Sequence, residues 1–192
     1  MHIYRSLIML VLMIVIWSCK KDKLDVEHPD NNNEQETMTS LQITLTNVSN
    51  NTDVSTFKFS DPDGMGGNPP VQSDTIKLKA NQIYNGTIKI LDESKNPPVD
   101  ITPEIEREAD GHQFFYTVSD SFMLTVGYAP DDKDRYGVPL GLKPIFEAKN
   151  AGVTSLKITL KHQGKNKPRS GDGNISIGAT DIEVSFPVRI IQ

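Results

Sequence analysis

From Leu41 onward, apolar side chains fall at every second position. Leu41, Ile43 and Leu45 alternate with Gln42, Thr44 and Thr46, and Phe57 and Phe59 flank Lys58. Ile76 and Leu78 alternate with Lys77 and Lys79. Tyr84, Ile88 and Ile90 share one parity, with Gly86 between them. The same rhythm runs through Phe114 and Tyr116, through Leu124, Val126 and Tyr128, and through Leu156, Ile158 and Leu160. Ile182, Val184, Phe186, Val188 and Ile190 form the longest run. A period of two puts successive side chains on opposite faces, so each run predicts a half-buried strand. Gly86 marks a bulge or a close backbone approach. Pro187 has no N–H for a ladder, which predicts an edge position or a bulge.

One segment, DITPEIEREADGH, breaks the rhythm. Thr102 suits an N-cap, Pro103 the first helical position and Gly111 a left-handed stop. Glu104 and Glu106 favour the first turns, where the helix dipole is positive. This predicts one short helix with Ile105 and Ala109 facing inward. About eight strands and one helix predict an all-β fold, an antiparallel β-sandwich of immunoglobulin- or transthyretin-like build. The sandwich is expected over residues 41–192, as one domain without internal repeats.

The start of the chain has a different character. Residues 7–17 are apolar behind the single charge of Arg5, and the run is too short for a membrane-spanning helix, which needs roughly 20 residues. It reads as a secretory signal over residues 1–18. Ile16-Trp17-Ser18 before Cys19 resembles the bacterial lipobox. That resemblance implies cleavage after Ser18 and acylation of Cys19 with palmitate-type chains. The alternative is an ordinary signal peptide beside a coincidental cysteine. Several acyl chains hold a protein at a membrane, each buried methylene contributing about 0.8 kcal/mol. Residues 19–40 then form the lipidated cysteine and a polar, Asn-rich tether with too few apolar residues to fold. Lys20–Lys23 and Leu24–Glu27 loosely resemble a charged signal that sends lipoproteins of Bacteroidota-type bacteria to the cell surface. With one cysteine in the chain and that one acylated, the core holds without disulfides. A formal charge of -5 argues against nucleic acid as a partner.

Five stretches carry a wider resemblance: SDPDGMGGNPP at 60–70, the long segment 78–116, GVPLGL at 137–142, LKITLKH at 156–162 and GATDIEVSFPV at 178–188. Together they resemble a family of secreted lipoproteins of Bacteroidota-type bacteria, sometimes assigned a type 1 periplasmic-binding fold. That fold needs alternating strands and helices, and the alternation here gives one helix, so the sandwich is the expectation kept. The resemblance implies an outer-membrane lipoprotein, on the periplasmic face or the cell surface, and a companion of a TonB-dependent receptor.

Of the four histidines, His112 and His162 lie in the strand-forming part. Each stands at a strand end on the core-facing parity, and Glu108 and Asp110 precede His112. Two imidazoles and a carboxylate suit zinc or copper, and two imidazoles suit a haem iron. The competing reading is that each histidine hydrogen-bonds backbone at its strand end. Asp61 and Asp63 open a glycine-rich loop that resembles the front of a calcium loop. Asp131 and Asp134, in a second acidic loop, are candidates to complete it. The competing reading makes the first loop a turn and the second a solvated hairpin tip. Asp74-Thr75-Ile76 resembles a short O-glycosylation acceptor, with Thr75 as the site. The lysines of HQGKNKPR at 162–169 read as solvating charges.

No GxSxG, HExxH, phosphate-binding glycine loop or free thiol is present in residues 41–192. The expectation is a non-catalytic envelope binding protein that assists metal, haem or nutrient capture. The alternative is a structural or adhesive surface lipoprotein without a small ligand.

Overall fold

All the strands read from the alternation form, and the inward parity holds. The computed structural model describes residues 37–63 and 68–192. Cys19, the signal segment and most of the tether lie outside the described residues. A seven-stranded sheet is built from β1 (Ser40–Asn47), β2 (Asn50–Ser60), β3 (Gln72–Ser73), β5 (Gln82–Asp92), β6 (Val99–Asp100), β8 (Leu124–Tyr128) and β9 (Pro144–Ala148). Its main path runs β3-β2-β1-β5-β9-β8, and β6 pairs with β5. A four-stranded sheet runs β4 (Ile76–Lys79), β11 (Ala179–Ile191), β10 (Gly152–His162) and β7 (His112–Val118). The result is an all-β sandwich with one short helix.

The core draws on both sheets. Leu41, Ile43, Ile88 and Phe146 join Ile76, Phe114, Leu156 and Phe186 in one buried cluster. Each such side chain contributes about 1.5–3 kcal/mol on leaving water. Gly86 proves to be a close approach and not a bulge. The β1–β5 register is continuous through it, and a Cβ there would stand 2.8 Å from Pro144 Cγ.

The sandwich is not wholly antiparallel. β4 pairs in parallel with the end of β11, Ile76 opposite Val188 and Leu78 opposite Ile190. This also explains Pro187. It faces Ser155 of β10, and the parallel ladder starts only at the next residue, so one flank of β11 needs no N–H there. The fold also begins before Leu41. Thr39 donates its N–H to the Leu91 carbonyl at 3.0 Å, and its hydroxyl accepts from Glu93 N–H at 2.7 Å.

The helix α1 spans Thr102–Arg107 and buries Ile105, as expected. Its termini are built differently. Ile101 is the N-cap, without a side-chain cap, and the Thr102 hydroxyl instead accepts from Ile90 N–H on β5 at 2.9 Å. Gly111 is not in the left-handed region. Its carbonyl accepts from Gln163 N–H at 2.6 Å and Gly164 N–H at 3.1 Å, and a Cβ would come within 3.4 Å of Gly164 Cα. Gly111 therefore lets two segments approach, the exit of α1 and the exit of β10.

Candidate metal centre

Those two exits carry the histidines. His112 opens β7 and His162 closes β10, and the two are direct cross-strand partners. Their ring centroids are 4.5 Å apart with planes tilted by 41°. The third strand is β11, where the ladder shifts: Leu160 pairs with Ile182, but Lys161 pairs with Thr180. Asp181 is the extra residue. A bulge turns a side chain away from the face that strict alternation would assign. Asp181 Oδ2 thus comes 3.5 Å from His112 Nε2. One donor atom from each of His112, His162 and Asp181 lies within 4.8 Å of the others, and no other such group occurs among the described residues.

The surrounding polar contacts hold this geometry. His112 Nδ1 is 3.2 Å from the Glu108 carbonyl oxygen, which accepts its proton and leaves Nε2 as the free lone pair. Carbonyl support of this kind is the usual partner of a metal-ligating imidazole. The segment after His162 is tied down on both sides. Gln163 Nε2 donates to the Asn174 carbonyl at 2.6 Å. Lys167 Nζ donates to the Ala109 carbonyl at 2.8 Å and the Pro139 carbonyl at 3.2 Å, and pairs with Asp134 Oδ2 at 2.9 Å. Lys167 is therefore a buried latch, not the solvating charge expected of its stretch.

Burial is the main electrostatic influence at the centre. It lowers the pKa of His112, and the neighbouring His162 lowers it further. Burial pushes Asp181 up to about 6, against the attraction of His162 and Lys161. Their 3.5 Å approach is thus not an ion pair, because His112 is held neutral. Two acceptors face one another, a ring lone pair and a carboxylate oxygen that has no hydrogen-bond partner in the protein. A cation between them resolves the conflict. Tetrahedral zinc with bonds of about 2.0–2.2 Å places neighbouring donors about 3.3–3.6 Å apart, so His112 and Asp181 already stand at ligand spacing. His162 joins them after a shift on the order of 1 Å.

Other expected site residues lie elsewhere. Glu108 supports His112 through its backbone, and its carboxylate is 3.8 Å from Nδ1, on the wrong side of the ring to share an ion with Asp181. Asp110 is committed to Arg135 at 2.6 Å. The haem reading fails on space: rings 4.5 Å apart on paired strands leave no slot for a macrocycle between them. The calcium reading fails on convergence. Asp63 accepts from Asn68 N–H at 2.8 Å, Asp131 pairs with Lys143 at 2.7 Å, and Asp134 serves Lys167. Asp61 is buried and lies against Asp63, but no group of three carboxylates joins this pair to Asp131 or Asp134 among the described residues. Thr75 lies half-buried in the link between β3 and β4, outside any strand.

No protein-family model matches the chain, and no curated protein matches its sequence.

Proposed function

We propose that this chain is a lipid-anchored, non-catalytic envelope protein that binds one divalent cation, zinc or copper, through His112, His162 and Asp181. The observation that carries the reading is the buried Asp181 Oδ2, 3.5 Å from the His112 Nε2 lone pair and without a hydrogen-bond partner in the protein. Imidazole and carboxylate donors suit borderline cations of this class. The anchor is acylated Cys19, as its lipobox-like setting suggests. The outer membrane is the proposed location, with a TonB-dependent receptor as the proposed companion in metal capture.

Calorimetric titration of the full-length protein in detergent with Zn2+ and Cu2+ tests the reading. One ion per chain is expected, with binding lost in the double variant His112→Ala, His162→Ala. Absent binding, or binding unchanged in that variant, rules it out. A structural or adhesive role is then what remains. One observation favours it: Phe122 and Val153, 81 % and 71 % exposed, stand near the other ends of the same strands.

A further inference from the structure

The three donors are held unequally. The side chain of His112 is 6 % exposed, and its far nitrogen is held by the Glu108 carbonyl. Asp181 is 14 % exposed and sits on a bulge between two paired segments. His162 is only half-buried, and its ring nitrogens have no hydrogen bond to the protein among the described residues. The space beside it is also kept open. Gly164 has φ +52°, and a Cβ there would meet only His162 Cδ2 and Nε2, each at 3.9 Å.

We infer that the centre is an exchange site in which a small singly charged anion from outside the chain supplies the fourth donor. The inference rests on the metal reading above. Structural zinc sites close all four positions with protein groups, whereas sites that exchange ligands keep one open. Here the described residues offer three donors. A divalent ion with one carboxylate keeps a net positive charge in a buried setting, which favours an anion over a neutral ligand. Lys161, close enough to act on Asp181, adds to that preference. His112 and Asp181 form the fixed half of the centre and His162 the half that gives way as ligands exchange. Gly164 leaves the approach open.

The test uses full-length protein in detergent, loaded with one equivalent of Cu2+ and desalted, then titrated with azide and separately with acetate. A saturable azide-to-copper charge-transfer band is expected, with acetate competing it away. Gly164→Asn separates the roles, because Asn tolerates positive φ and its side chain covers the Nε2 edge of His162. In this variant azide affinity is expected to fall at least tenfold more than copper affinity does. Copper bound one-to-one with no azide response overturns the open position but leaves the metal reading standing. Failure to bind copper or zinc overturns both. Equal azide affinity in the wild type and Gly164→Asn overturns the approach route.

Discussion

Two aspartates, each with a buried carboxylate oxygen, have opposite circumstances. Asp134 has a cation beside it: Lys167 Nζ pairs with Oδ2 at 2.9 Å, an ion pair and not a hydrogen bond, and the N–H groups of Tyr136 and Val138 donate to Oδ1 at 2.9 Å each. Asp181 differs: its buried oxygen faces an imidazole lone pair, and burial raises its pKa to about 6. A buried charge with its counter-charge beside it holds structure together. One without a partner is costly unless a cation or proton arrives. The contrast separates a latch from a candidate site more sharply than residue type or burial alone.

The largest expected effect comes from breaking the latch. Lys167→Met leaves Asp134 buried and unpaired, since the two side chains are 1 % and 0 % exposed. Removing one partner of such a pair typically destabilises by about 3–5 kcal/mol, to be read from urea unfolding. Stability loss below about 1 kcal/mol would place Asp134 with Asp181 and erase the distinction.

Asp181→Asn acts in the opposite direction. The folded pKa of Asp181 is about 6, above the ordinary 3.8, so the folded chain disfavours the ionised form. Its ionisation therefore leaves the metal-free protein most stable below the unfolded pKa. That stability is lost as pH rises through about 6, and the loss is complete above it. The Asn variant removes this slope and stabilises the metal-free protein at pH 7.5 by up to about 3 kcal/mol, while metal binding falls away. Unfolding curves at several pH values, with and without Zn2+, check both halves. A destabilised variant would show that Asp181 is structural after all.

The smallest effect concerns Glu108. Its backbone oxygen supports His112, while its side chain is 49 % exposed. Glu108→Gln is expected to change Zn2+ affinity by less than about threefold in the same titration. A larger loss would restore the side chain as a ligand.

Much of this was legible in the alternation. Core parity placed His112 and His162 at strand ends, and antiparallel pairing then brought them face to face. The carboxylate was not legible. A period of two puts Asp181 opposite Ile182, on the solvent side, and only the bulge at Leu160/Lys161 turns it inward. No local residue pattern announces that shift. The nearer acids, Glu108 and Asp110, attracted attention because sequence proximity was the only guide to proximity in space. β9 was missed because Pro144–Ala148 buries Phe146 and Ala148 in too short a run to show a period. The parallel pairing of β4 depends on tertiary contacts that its four residues do not encode.

That pairing has a consequence for the order of assembly. β4 follows directly after β3 and leads by a tight turn into β5, yet its ladder partners are residues 188–191. Loop-closure entropy disfavours contacts this distant, roughly a hundred residues apart, until others have shortened the effective distance. The hairpin of β10 and β11 must form before β4 has an edge to join. β4 is therefore the strand expected to dock late, and the face of Ile76 and Leu78 stays open to solvent until it does. Such a late-closing seam delays commitment to the compact state.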